Sequence, residues 1–193
     1  MARHGVKQRM LSCRAMIIFS AARKPNISQE PLPERLFCLS PCVPEACRVL
    51  VLGSFPSASS LAAKQYYAHP QNRFWRLVGD CLGVDLRALP YAMRIKKVNA
   101  AAIGIWDIYA ACERSGSLDS AIRNAAFNDF SKLRRRAPGI RRVCLNGSTA
   151  AKAVRHLSGL GFETVVLPST SPANASQDYA FKLARWRAAL ERQ

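Results

Sequence analysis

A chain of 193 residues suits one domain of ordinary size with a short appendage, and with 49% hydrophobic and 21% charged residues it can bury a core, which excludes a wholly disordered or fibrous protein. The 29 Lys and Arg against 12 Asp and Glu leave a formal charge of +17, so a polyanion, most commonly nucleic acid, is the expected partner. No apolar run approaches the ~20 residues of a spanning helix, and no membrane embedding is expected.

In chain order, residues 1–33 carry no acidic side chain before Glu30 and end in the Pro-rich stretch PNISQEPLP. They read as a basic, disordered extension, with Met16 as an alternative start, and the folded domain is expected over 34–193. A secretory reading of the apolar AMIIFSAA is disfavoured by Arg14 beside it and by its short length. From residue 48 the pattern is α/β. RVLVLG (48–53) is a continuous strand-length apolar run ended by Gly53, as expected of a strand buried on both faces. A long loop with one helical turn at its start follows, then FWRLVGDCLG as a helix closed by Gly83. IGIWDIY (103–109) is a second buried strand, followed by a polar stretch and a helix from Ser117 to about Asn124. DFSKLRRRA is a further helix stopped by Pro138. RRVCLNG (141–147) is a third strand running into the helix STAAKAVRHL, ETVVLPS (163–169) is a fourth, and an amphipathic helix closes the chain. Strands alternating with helices imply a mainly parallel four-stranded sheet covered on both faces, a three-layer α/β sandwich.

Seven cysteines (13, 38, 42, 47, 81, 112 and 144) without CxxC spacing argue against a disulfide framework and for reduced thiols in a cytoplasmic protein. Cys38, Cys42 and Cys47 form an irregular run interrupted by Pro41 and Pro44, a weak pattern for a metal or iron–sulfur site. No metal or cofactor is called for.

Ligands of such sheets bind beyond the carboxyl ends of the strands. That places four segments at a site: GSFPS after the first strand, Asp107 at the second, NGS after the third and PSTSPAN after the fourth. Gly53-Ser54-Phe55-Pro56-Ser57 turns sharply and offers backbone N–H groups to an anion or carbonyl oxygen, but it is neither a P-loop nor a nucleophile elbow. Fourteen residues beyond Gly53 comes Tyr67, inside YYAHPQNRFW. An aromatic, amide-rich loop of this kind suits a planar hydrogen-bonding ligand such as a nucleobase, although Phe74 and Trp75 also read as cover for the sheet.

GSFPS, SLAAKQYYAHPQNRFW, GIWDIYAACERSGSLDSAIRNAAFNDF, LNGSTAAK and LPSTSPANA, in this order across 48–192, resemble the hypoxanthine-DNA glycosylase family of the uracil-DNA glycosylase superfamily. The mismatch-specific uracil-DNA glycosylases are similar too, with a GxNPG loop and the same step to an aromatic before AHPxNxFW. The resemblance implies a four-stranded parallel sheet between helices and an activity, cleavage of the N-glycosidic bond of a deaminated base extruded from DNA, by a monomer. It points to Asn72 as the side chain positioning the attacking water, to Tyr67 as the aromatic stacked on the flipped base and to Asp107 as the reader of the base edge. Ser169, Ser171, Pro172, Ala173 and Asn174 fall in the loop that grips phosphates and enters the helix where the base has left.

Three departures sharpen the expectation. Phe55 stands where the mismatch-specific enzymes carry a catalytic Asn, Ser169 where many uracil enzymes have a His, and Ser57 where a glycine is usual. The first two weigh toward hypoxanthine and against efficient uracil excision. A mismatch-specific uracil-DNA glycosylase, or a non-catalytic nucleic-acid-binding domain of the same fold, are the alternatives. The turn Gly53-Ser54-Phe55-Pro56 offers its main-chain N–H groups, which Pro56 itself lacks, to the charge on the leaving base. Asp107, as an ionised acceptor beside a backbone donor, would pair with the N–H and carbonyl of hypoxanthine; its competing reading is a cap for a helix starting at Ile108. Asn72 also reads as a loop amide bonding backbone, and His69 as a structural residue before Pro70. Residues 48–193 keep 22 Lys and Arg against 9 Asp and Glu, and Arg134, Arg135, Arg136, Arg141 and Arg142 form the densest cluster, facing either phosphate or solvent.

Overall fold

The computed structural model describes Met1 and residues 35–191; the expectation for residues 1–33 lies outside this range. The elements run β1 (Arg35–Phe37), β2 (Val49–Gly53), α1 (Ala58–Ala63), α2 (Phe74–Leu82), α3 (Tyr91–Ala100), β3 (Ile103–Asp107), β4 (Tyr109–Glu113), β5 (Arg123–Phe127), α4 (Leu133–Arg136), β6 (Arg142–Asn146), α5 (Val154–Gly159), β7 (Glu163–Leu167) and α6 (Tyr179–Glu191).

Strands β3-β2-β6-β7 make the expected parallel sheet. Side chains of a strand alternate between faces, and β2 divides its apolar residues accordingly. Val49 and Val51 join Phe74, Leu77 and Trp186 on one face, while Leu50 and Leu52 join Phe130, Val143 and Leu157 on the other. That is why the strand reads as an unbroken apolar run. On the first face α2 and α6 are pinned by the edge-on packing of Phe74 on Trp186, with ring centroids 5.8 Å apart. Along α6, Lys182, Trp186, Ala189 and Leu190 point inward, at the three- and four-residue spacing of one helical face. Helix α2 begins where Asn72 Oδ1 accepts from the Phe74 N–H (3.0 Å) and ends at Gly83, whose φ of 67° lies in the left-handed region.

Parallel register brings the strand ends into one row. Gly53 pairs with Asp107, Leu52 with Leu145, and Asn146 with Leu167. From β2 the chain moves to β3 on one side, then crosses back to β6 on the other, so the loops leaving β2 and β6 diverge and open a crevice between them.

Two expectations are corrected. The run 103–109 is not one strand: after Asp107 the chain leaves the parallel sheet, with Ile108 N–H donating to Gly53 O (2.8 Å), and continues as β4 in a separate antiparallel sheet of order β1-β4-β5. No helix spans Ser117 to Asn124 either. Only a single 3-10 turn, Asp119–Ala121, forms there, followed by Asn124 at φ 48° inside β5. The segment's backbone groups pair with β4, and the Asp119 carboxylate accepts from Ser54 Oγ (2.8 Å) rather than capping a helix. With a strand following Asp107, its helix-capping reading falls as well. Helix α3 lies in a region to which the sequence assigned no element.

Candidate active site

A cavity of about 510 Å³ opens at the carboxyl ends of the parallel strands. It gathers Gly53, Ser54, Phe55, Pro56, Tyr67, Asn72, Asp107, Ser169, Ser171, Ala173 and Asn174 into one lining, from segments spread over 122 positions of chain. Pro172 does not line it; it opens the 3-10 turn Pro172–Asn174, which Ser171 caps. His69 is also outside the lining, with its Nδ1 accepting from the Gln71 N–H, as its structural reading expects.

The first wall is the turn after β2. Main-chain N–H groups of Ser54 and Phe55 make no internal hydrogen bond among the described residues, so they remain available to a ligand. Arg114 holds the turn from behind: its guanidinium donates to Pro56 O and lies 5.1 Å from the centre of the Phe55 ring. Burial pulls the Arg114 pKa down, with Cys112, Asp119 and Asp107 opposing that shift.

The second wall comes from the aromatic loop. Tyr67 sits at φ 55°, a left-handed conformation rare for an aromatic residue, and stacks one ring face on Phe74 at 3.7 Å and 13°. Its hydroxyl accepts from Asn146 Nδ2 (3.3 Å), and burial raises its pKa, so the phenol stays protonated. The half-buried Asn72 has its Oδ1 fixed by the Phe74 N–H, which leaves the second lone pair of that oxygen and the Nδ2 hydrogens without internal partners among the described residues. The backbone-bonding reading of this amide is therefore correct and compatible with a ligand on the same group.

Asp107 forms the floor. It is 3% exposed, and its Oδ2 is buried with no hydrogen-bond partner among the described residues. Burial, and secondarily the Asp119 charge, push its pKa up from 3.8 to about 8 against a smaller opposing effect of Arg114. Burial thus disfavours the ionised acceptor expected from sequence. Gly53 is required beside it: a Cβ there would stand 2.6 Å from Asp107 Oδ1 and 3.2 Å from the Tyr67 hydroxyl.

The last wall is the loop after β7. Asn146 ties it to β6, donating from Nδ2 to Thr170 Oγ1 (2.9 Å) and accepting the Thr170 N–H on Oδ1 (2.9 Å). From below, Lys182 of α6, fully buried, donates to Ser169 O (2.8 Å) and Asn174 O (2.6 Å), clamping both ends of the loop. Arg73 N–H donates to Thr170 O (3.0 Å), which joins this loop to the Asn72 segment.

A family model of the uracil DNA glycosylase superfamily matches residues 41–191. The chain belongs to the uracil DNA glycosylase superfamily. Over 130 residues it is 44% identical to a Methanosarcina acetivorans protein named hypoxanthine DNA glycosylase, which covers 67% of this chain and 82% of that protein. Over 134 residues it is 38% identical to a Methanosarcina barkeri protein of the same name, with 69% and 85% covered. A solution NMR structure from Methanosarcina acetivorans, assigned to the uracil DNA glycosylases, superposes with a TM-score of 0.75 at 38% identity, covering 81% of this chain and 97% of that one.

Within this uracil DNA glycosylase fold the sequence reading missed three side chains that shape the cavity, Asp119, Arg114 and Lys182, none of which carried a local signal, and it placed Asn146 at the site only as part of NGS after the third strand. In the arginine cluster, Arg134, Arg135, Arg136 and Arg141 are exposed, as the solvent-facing reading expects; Arg142 opens β6, at the opposite end of the sheet from the cavity, and pairs with Glu163, while Arg134 donates to Leu160 O and Gly161 O. Among the described residues, Cys38, Cys42 and Cys47 do not join with other acidic, Cys or His side chains into a metal-holding group.

Proposed function

We propose that this protein is a monofunctional DNA glycosylase that hydrolyses the N-glycosidic bond of deoxyinosine in DNA and releases hypoxanthine, the first step of base-excision repair. The observation that carries the reading is the Asn72 amide, oriented by the start of α2, in one cavity with Asp107 and the Ser54–Phe55 N–H groups. The two relatives named hypoxanthine DNA glycosylase support the choice of base. So does Phe55, which leaves no Asn in the turn after β2 to act on a uracil nucleotide.

The chemistry asks little of the protein in nucleophile strength. In an oxocarbenium-like transition state the C1′–N bond is broken early, its electron pair goes to the base, and water arrives late. Asn72 Oδ1, with one lone pair given to the Phe74 N–H, accepts a hydrogen from that water and aims its oxygen at C1′. Positioning of this kind supplies up to about 7–11 kcal/mol in the best cases. The Ser54 and Phe55 N–H groups stabilise charge on the departing base. Tyr67 flanks the base, and Asp107 meets its carbonyl edge.

Eversion of the nucleotide costs a few kcal/mol, least at mismatched pairs, which adds selectivity before the cavity is reached. The Ser169–Asn174 loop, rigid because Lys182 and Asn146 hold it, takes the flanking phosphates. In this reading the protein is a monomer acting in the cytoplasm through a domain spanning 34–193.

Duplexes carrying deoxyinosine or deoxyuridine, treated with alkali after incubation, test the reading. Strand cleavage at inosine is expected, abolished by Asn72→Ala with duplex affinity nearly unchanged. Cleavage at uracil alone makes it a mismatch uracil enzyme, and binding without cleavage of either makes it a non-catalytic binder.

A further inference from the structure

The floor of the cavity holds a titratable group whose two oxygens are treated differently. Asp107 Oδ1 faces the space left by the absent Cβ of Gly53, on the side of the Tyr67 hydroxyl, and is the less buried oxygen, whereas Oδ2 is fully buried with no partner among the described residues. An ionised carboxylate oxygen left unpaired at that depth is strongly disfavoured, and no Lys, Arg or His forms an ion pair with it among the described residues. We propose, building on the function above, that Asp107 works as an undissociated carboxylic acid, donating its carboxyl hydrogen from the less buried oxygen, Oδ1, to the carbonyl oxygen of the leaving base.

The groups around Asp107 agree. From the turn after β4 comes Asp119, a like charge that opposes ionisation. From β4's end comes Arg114, the one cation acting on it, whose effect is outweighed by burial and whose guanidinium is committed to Pro56 O. Tyr66 and Tyr67 reach it from the aromatic loop and Cys38 from the segment after β1; all three are raised by burial and stay protonated, adding no positive charge. Asn128 donates to the main-chain oxygen of Asp107 and does not reach its carboxyl. Burial with a like charge nearby thus holds the proton in place, as in other enzymes where an apolar site keeps an acid neutral so that it can donate.

The step balances without moving that proton. Electrons of the C1′–N bond pass to the purine and accumulate on its carbonyl oxygen, against which the Asp107 O–H is a donor. Water adds its oxygen to C1′ and loses one proton to solvent, and the released base anion takes one proton from solvent. Asp107 begins and ends as an acid. Were it ionised, its oxygen would stand against the growing negative charge and oppose bond breaking.

The test is the single-turnover rate on a deoxyinosine duplex between pH 5.5 and 9.5, for wild type, Asp107→Asn and Asp107→Ala, with the Asp107 carboxyl followed by carbon NMR. The wild-type rate should hold to about pH 7 and then fall, approaching tenfold for each further pH unit, with the carboxyl titrating near 8. Asp107→Asn, which keeps an N–H donor, should cut more slowly but without that alkaline fall, and Asp107→Ala should be slow throughout. Any titration of the inosine ring itself appears in the Asn profile and is subtracted by it. A wild-type rate that climbs with pH, a carboxyl midpoint near 4, or an Asn variant with the same alkaline limb overturns the acid role while leaving the function intact. No cleavage of deoxyinosine by wild type at any pH overturns the function itself.

Discussion

Gly53→Ala is the most sensitive probe of how closely the cavity floor is fitted. The added Cβ would stand 2.6 Å from Asp107 Oδ1, where ordinary contact begins at 3.4 Å, and 3.2 Å from the Tyr67 hydroxyl. Gly53 and Asp107 are register partners in the sheet, so neither backbone can retreat without breaking the ladder. The carboxyl must swing away by roughly 0.8 Å, an overpacking strain of ~1–3 kcal/mol. At about 2–4 °C for each kcal/mol in a chain of this size, melting should fall by roughly 4–8 °C for a mid-range strain. Excision should suffer more, since a misplacement near 1 Å costs about 100-fold. Thermal melts and single-turnover cleavage are measured for Gly53→Ala, Asp107→Ala and the double variant. In the Asp107→Ala background the alanine at 53 should cost little, giving a coupling energy of about 1–2 kcal/mol between the two sites. Equal cost in both backgrounds would refute the argument, because the carboxyl would then not be what the glycine makes room for.

The same carboxyl should leave a mark on stability. Its pKa is raised from 3.8 to about 8, so between those values the native protein keeps a proton that the unfolded chain releases, and stability falls as pH rises through that window. The full effect is at most about 6 kcal/mol, and urea denaturation should show Asp107→Asn gaining on wild type from pH 5 to 8, whereas parallel curves would contradict it. Lys182→Met deletes two charge-assisted bonds, to Ser169 O and Asn174 O, and should cost roughly 2–4 kcal/mol in denaturation while weakening the hold on abasic duplex at temperatures where the variant is folded. Unchanged affinity there would mean the loop needs no clamp. Duplex affinity of wild type should drop by about 1,000-fold between 50 and 200 mM salt if six or more phosphates are engaged; a flat dependence would disconnect the basic surplus from DNA.

The parallel sheet was legible because Val49–Gly53 and Ile103–Asp107 are buried along nearly their whole length, so both read as apolar runs. What hid the antiparallel sheet is the opposite condition. Arg123–Phe127 is exposed along its whole length, so pairing with β4, and no pattern of its own, makes it a strand. The chain also enters β4 directly from Asp107, with no Gly or Pro to mark the change of sheet. Helix α3 buries only Val98 fully, with Tyr91 and Ile95 half-buried on the same face, a short stripe among charged residues that the sequence reading passed over. At the site, strand ends and motif loops announced themselves in local sequence. The protonation of Asp107 did not, because it arises from burial and from Asp119 across a fold that local sequence does not encode. Arg114 and Lys182 escaped for a related reason: each acts on main-chain oxygens, of Pro56 and of Ser169 and Asn174, that any residue type would supply.

The Lys182 clamp has a bearing on biogenesis. Its helix is the last described element, and Trp186 from the same helix fastens Pro168 through its ring N–H (3.0 Å). A nascent chain emerging from the ribosome therefore holds Gly53, Asn72 and Asp107 before the ammonium that bonds Ser169 O and Asn174 O has been synthesised. Until α6 docks, that turn lacks the two bonds that hold its main chain.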